Sequence, residues 1–258
     1  MIRLLLLAGL LAFAQSFLFA QEKDIKFHHI TVDDGLSSNT VNAVIRDSRG
    51  FIWISTGNGV SRYDGYTFTN FRSHEKDSFS ISSNITYVVF EDRHQRLWVG
   101  SQKGLDLLNR SLDRFDQHFF YDIPVRSIYQ DRSGNLWVGS DRGLYWFDEE
   151  QKKFTKPFSI LFDTRNVIYN TIPTIAEDHQ GNLWVGTSNA GIYVYDFQSK
   201  TFKRFYHQTG IEGTLSNNDV RSIISCKDHK IWISTYGGGV NLFQPETENF
   251  KVYAQSGD

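Results

Sequence analysis

The chain has 258 residues, 29 acidic against 27 Lys and Arg side chains, and a net charge of −2. That balance provides no basic footprint for a nucleic-acid surface. Aromatic residues make up 15% with only four Pro, which favours pleated sheet, and the lone Cys226 rules out an intrachain disulfide and a cysteine zinc site.

The N-terminus reads as a secretory leader. Met1–Arg3 is a short positive start, Leu4–Ala14 an apolar run, and charges begin at Glu22. Cleavage after Ala14 or Ala20 fits the small residues, so residues 1–20 are expected to be a signal peptide and residues 21–258 the exported part. The uncharged stretch from Leu4 to Gln21 is short for a bilayer span, and no later segment is apolar enough to cross one. The expected location is the periplasm.

The mature part opens on a strand-like stretch, Lys26–Thr31, and then repeats itself. Trp53, Trp98, Trp137, Trp184 and Trp232 stand 45, 39, 47 and 48 residues apart. Each ends a phrase of turn, apolar pair and Trp, followed by Gly or Ser, a Ser or Thr, and a Gly. A period of this size means one supersecondary unit is copied. In the first copy the runs Val41–Asp47, Phe51–Thr56, Val60–Asp64 and Phe68–Arg72 read as four strands. Asp-x-x-Gly closes the first hairpin at Asp47–Gly50, Asp131–Gly134 and Asp178–Gly181. Gln95 takes the Gly place in the second copy, and Cys226 and His229 replace both residues in the fifth, so these two turns are expected to differ in detail. The first two runs of a copy are apolar on both faces, as strands covered on both sides require. Four-stranded antiparallel units hidden by their neighbours make an all-β propeller of about five blades. The five Trp residues are expected to fill the blade seams.

The last run, Phe250–Tyr253, is again a fourth strand. Counting Lys26–Thr31, there are six fourth strands for five sets of the first three. That mismatch fits part of a larger, seven-bladed ring better than five blades with a strand to spare.

The Asp-x-x-Gly-x-[Leu/Ile]-Trp-[Val/Ile]-[Gly/Ser]-[Ser/Thr]-x-x-Gly phrases, with Gly35–Val41 and Ser61–Phe71 at the start, resemble the two-component regulator propeller repeat. The resemblance runs from about Phe27 to the end. It implies the periplasmic sensor region of a hybrid histidine kinase, one whose relatives often sense oligosaccharides and act as dimers. Such relatives carry two seven-bladed propellers, a β-sandwich, a membrane helix, a kinase, a receiver and a DNA-binding domain. This chain has too few repeats for one such ring and none of the downstream parts.

Candidate ligand residues follow from the scaffold. Four and five places after each Trp stand Gly57 and Asn58, Gln102 and Lys103, Asp141 and Arg142, Ser188 and Asn189, and Tyr236 and Gly237. Loops placed by a rigid frame are the usual binding surface, and amides, cations and a Tyr suit a hydroxyl-rich ligand. The expected function is oligosaccharide sensing passed to a histidine kinase outside this chain, without a cofactor, a metal or a catalytic residue. The alternatives are a sialidase- or lyase-like propeller acting on glycans and a non-catalytic interaction propeller. The Asp turn resembles the sialidase "Asp box", which is structural there too. His28 and His29 alternate to opposite faces of the opening run, which disfavours a shared metal.

Overall fold

A computed structural model describes residues 27–156 and 171–254. The expected leader, residues 1–20, lies outside the described residues. Residues 1–30 and 31–258 separate as two units. Of the first, only Phe27–Ile30 is described, and it carries no strand. The expected opening strand Lys26–Thr31 is therefore corrected over its described residues. Thr31 instead caps a 3-10 turn, Val32–Asp34, accepting from the Asp33 N–H while its own N–H donates to Asp34 Oδ2. A side chain that bonds its local backbone in this way competes with strand pairing.

The second unit holds five four-stranded antiparallel meanders. The first blade is β1 (Val41–Arg46), β2 (Ile52–Thr56), β3 (Gly59–Tyr63) and β4 (Phe68–Phe71). The second is β5 (Thr86–Glu91), β6 (Leu97–Ser101), β7 (Gly104–Asn109) and β8 (Arg114–Phe119). The third is β9 (Val125–Gln130), β10 (Leu136–Ser140), β11 (Gly143–Asp148) and β12 (Lys153–Thr155). The fourth is β13 (Thr174–Glu177), β14 (Leu183–Gly186), β15 (Ile192–Asp196) and β16 (Thr201–Phe205). The fifth is β17 (Val220–Ser225), β18 (Ile231–Thr235), β19 (Gly239–Gln244) and β20 (Asn249–Tyr253). Blade number and strand order match the reading of the repeats.

The turns explain the repeat phrase. Gly50, Gly134 and Gly181 sit at φ near +90°, and Gln95 and His229 take the left-handed region at the same place. All five turns close with the same backbone bond, including Gln95 N–H to Asp92 O at 2.8 Å and His229 N–H to Cys226 O at 3.0 Å. The two exceptional turns thus keep the backbone and differ only in side chains. The Gly opening each third strand is needed for a second reason. A Cβ on Gly59, Gly104, Gly191 or Gly239 would stand 2.2–2.6 Å from a fourth-strand carbonyl oxygen.

Each seam is a separate small core. Trp53 packs with Ile81, Val89, Leu97, Val99 and Phe115 of the second blade and its approach. Trp98 packs with Val125, Leu136, Val138 and Phe147 of the third. Trp137 and Leu144 meet Ile172, Ile175 and Val185, and Trp184 and Ile192 meet Leu215, Val220, Ile233 and Phe250. These four indoles are buried, each stabilising its seam by roughly 2–3 kcal/mol. The innermost strands follow one another, β1 against β5, β9, β13 and β17 in turn. Double-sided burial holds for the middle blades and needs correcting for the ends. Val44 on β1 and Ile224 on β17 are each 57% exposed, and Trp232 is half-buried, because among the described residues no sheet covers those faces.

Candidate functional site

The two ends of the blades are built for different work. At one end the Asp turns are structural. Asp47, Asp92, Asp131 and Asp178 are buried, and each accepts through Oδ2 from the indole N–H six residues on, at 2.8–2.9 Å. Oδ1 takes the backbone N–H four residues on. A carboxylate so fully engaged is tied to its turn and strand. Asp47 is held below the usual carboxylate range despite its burial, by its bonds from Arg110, Trp53 and the Phe51 N–H.

At the other end lie the candidate ligand residues. In every blade the residue four places after Trp donates its N–H to a carbonyl one to three residues before the innermost strand: Gly57 to Thr40, Gln102 to Ile85, Asp141 to Pro124, Ser188 to Thr171 and Tyr236 to Asp219, at 2.8–3.1 Å. These bonds fix the turns at one end of the array. Asn58, Gln102, Lys103, Arg142, Asn189 and Tyr236 are exposed there, while Asp141 and Ser188 are half-buried. Asn58 is also tied down, donating from Nδ2 to Ser37 O at 3.3 Å.

A second set of side chains reaches this end from the inner strands. Pairing skips Asn42 in β1, Tyr87 in β5, Arg126 in β9 and Arg221 in β17. Each is the extra residue of a β-bulge, a device that re-aims a side chain. Arg126 forks onto Asp141, Nε to Oδ1 and Nη2 to Oδ2, both at 2.8 Å. Its guanidinium lies 4.2 Å from the Tyr87 ring centre. Arg221 repeats the arrangement with other partners, donating to Asp219 Oδ2 at 2.7 Å and lying 5.0 Å from the Tyr236 ring. Asp141 holds the Arg126 pKa up, chiefly through those bonds. Asp219 Oδ1 is buried without a hydrogen-bond partner. Tyr87, Arg126, Asp219 and Arg221 do not stand out in the repeat phrase, because a bulge breaks the two-residue alternation that places strand side chains.

One Ser, Asp and His cluster lies elsewhere. Asp106 is fully buried and accepts from Ser82 Oγ, from Ser82 N–H at 2.9 Å and from His118 Nδ1 at 2.7 Å. His118 Nε2 meets Ser78 O at 2.9 Å. Both ring nitrogens thus face acceptors, and the Asp106 bond holds the imidazole above its ordinary pKa. Ser82 Oγ bonds the carboxylate and stands 3.5 Å from His118 Nδ1, and Nε2 is taken by the Ser78 carbonyl, so the three side chains anchor one another. The cluster pins the approach to the second blade. Ser37 does the same with Ser61 and Asn70, and Ser216 with Asn241. Among the described residues no group of three or more His, Cys, Asp or Glu could hold a metal.

Comparison with known proteins agrees with this geometry. The family model "Two component regulator propeller" matches residues 35–58, 122–142 and 159–189. A histidine kinase of Formosa agariphila, named P4, is 37% identical over 73 residues, 28% of this chain and 5% of that protein. The extracellular domain of a putative hybrid two-component system from B. thetaiotaomicron is 27% identical over 87% of this chain and 31% of its own, with a TM-score of 0.72. Virginiamycin B lyase from Staphylococcus aureus shares the fold alone, at 13% identity and a TM-score of 0.68 over 90% of this chain and 75% of its own. The chain spans less than a third of the length of these two two-component relatives. The repeat phrase and the five meanders agree with that match, and in its three matched segments this chain is similar to the two-component regulator propeller repeat.

Proposed function

We propose that this array is the ligand-sensing part of an extracellular two-component sensor, exported to the periplasm by the leader at residues 1–20. In this reading residues 21–258 are propeller repeats that bind an oligosaccharide and pass the signal to a histidine kinase outside this chain, in a dimeric receptor. The likeness to an extracellular domain of a hybrid two-component system supports the sensor role. The ligand class rests on the bulge-presented residues. Tyr87 with Arg126 and Asp141, and Tyr236 with Arg221 and Asp219, place an aromatic face beside a fixed guanidinium and carboxylate. Rings offer apolar area to a sugar face, and charged groups bond its hydroxyls strongly. The observation that carries the reading is the exposed Tyr236 ring beside the Arg221–Asp219 pair, whose carboxylate keeps Oδ1 unpartnered beneath it.

Calorimetric titration of the leader-free chain with a panel of neutral and acidic plant and algal oligosaccharides tests this. Saturable binding by one class, weakened by Asp219→Asn and Arg126→Gln, is expected. No binding across the panel, or binding indifferent to both changes, overturns the ligand assignment. Mass spectrometry of the exported protein's N-terminus tests the leader, with a start after Ala14 or Ala20 expected.

A further inference from the structure

At the Asp-turn end, the seam between the fourth and fifth blades holds an open cavity of about 360 Å³. Its floor is aromatic, with Phe205 stacked on Trp184 at 5.9 Å and Phe243 edge-on to it at 4.9 Å. Asp178, Asp196 and Glu248 line it against one cation, Lys203.

The other seams show what fills this place. In the first, Arg62 is the cross-strand partner of Trp53. Its guanidinium lies 5.5 Å from the Trp53 ring centre and 5.4 Å from that of Phe71, and it forks onto Asp113 at 2.5 and 2.9 Å. In the second, Arg96 lies 5.3 Å from Trp98 and 5.2 Å from Phe147 and pairs with Glu149 at 2.5 and 3.1 Å. In the third, Trp146 takes the Arg62 position and Phe197 packs on Trp137 at 6.1 Å. The fourth seam keeps the surroundings and loses the plug. Val194 is the cross-strand partner of Trp184, where the first seam has Arg62. Asn182, two places before Trp, stands where the second seam has Arg96. Glu248 follows β19 by four residues as Asp113 follows β7, and both adopt the left-handed conformation, at φ of 54° and 51°. Lys203 pairs with Glu248 and lies 5.4 Å from the Phe205 ring centre, so the cation present sits over Phe205 rather than over the Trp184 indole.

We propose that this cavity is a binding site for a guanidinium group, supplied from outside the chain and seated as Arg62 and Arg96 are seated in their seams. The planar cation stacks on Trp184 and forks onto Glu248 in place of the exposed Lys203 ammonium, and Asp178 and Asp196 add negative potential. The site lies at the end opposite the proposed oligosaccharide surface and does not depend on that assignment.

The test is calorimetric titration of the leader-free chain with agmatine, with L-citrulline as the uncharged control and Gly-Arg-Gly as the peptide source. Saturable agmatine binding is expected, with none for citrulline. Val194→Arg supplies the plug from within and should abolish binding. Glu248→Gln changes an exposed side chain, leaves the fold intact and should weaken binding about tenfold. Tighter binding of the peptide identifies a protein arginine as the source, and equal binding a free guanidinium compound. Absence of binding by both, equal binding of citrulline, or binding unchanged in both variants overturns the proposal.

Discussion

Trp137 donates its indole N–H to Asp131 Oδ2 at 2.8 Å, and the same carboxylate takes the Asn135 N–H through Oδ1 at 2.8 Å. One buried side chain thus closes a hairpin turn and orients the largest residue of the seam. Asp131→Ala removes both acceptors while the Trp137 indole N–H stays buried. It should destabilise the array by about 3 kcal/mol, measured by urea unfolding. In the fifth blade Cys226 stands at this position, and among the described residues no carboxylate there meets the Trp232 indole. Cys226→Asp restores the acceptor and should stabilise by about 1 kcal/mol. A lowered urea midpoint for that variant would refute the anchoring role.

The backbone of that turn makes a second demand. Gln95 occupies the left-handed place at φ 59° that Gly holds in three other blades. Gln95→Gly relieves the strain of a side chain there, offset in part by the greater entropy a Gly gives the unfolded chain. A net gain of roughly 0.5–1 kcal/mol is expected from thermal unfolding, with Arg93→Gly in the same turn as a control that should gain nothing.

The repeat phrase made most of the fold legible. Asp, Gly and Trp at fixed spacing mark the first turn, the second turn and the seam, because each has one local job for which its residue type is best suited. What was not legible depends on contacts between units. The run Lys26–Thr31 has the composition of a fourth strand, yet over its described residues no strand forms. Val44 and Ile224 read as buried strand residues, and only the neighbouring sheet decides that. At the candidate site, Asn58 and Tyr236 follow from their offset to Trp. Arg126 and Arg221 do not, since bulges shift their register by one residue. Nor does the Ser82, Asp106 and His118 cluster, whose members lie on three segments.

That cluster gives the array a pH dependence of definite sign. Asp106 raises the His118 pKa, so the folded state holds the proton more tightly than the unfolded chain. The resulting stability is fully present below the ordinary histidine pKa of about 6.5 and is lost as pH rises through the higher folded value. Unfolding midpoints should therefore fall from pH 6 towards pH 8, and His118→Gln should flatten this dependence. An unchanged slope in that variant would assign the dependence to other groups.

The mouth residues divide by how firmly they are held, and binding data should show the division. Arg142 and Tyr236 are exposed, so Arg142→Ala and Tyr236→Ala should leave the unfolding midpoint within about 0.5 kcal/mol of the parent. Arg126 is different, because its fork also holds Asp141 and its plane covers Tyr87. Arg126→Ala should cost about 1 kcal/mol of stability, discounted for the pair's partial exposure. Against whichever oligosaccharide binds, Tyr236→Ala should lose about tenfold in affinity through the missing aromatic face. Tyr236→Phe keeps that face and should recover most of the loss. Calorimetry on the four variants and the parent separates the effects, and a Tyr236→Ala chain that binds as tightly as the parent removes the fifth blade from the site.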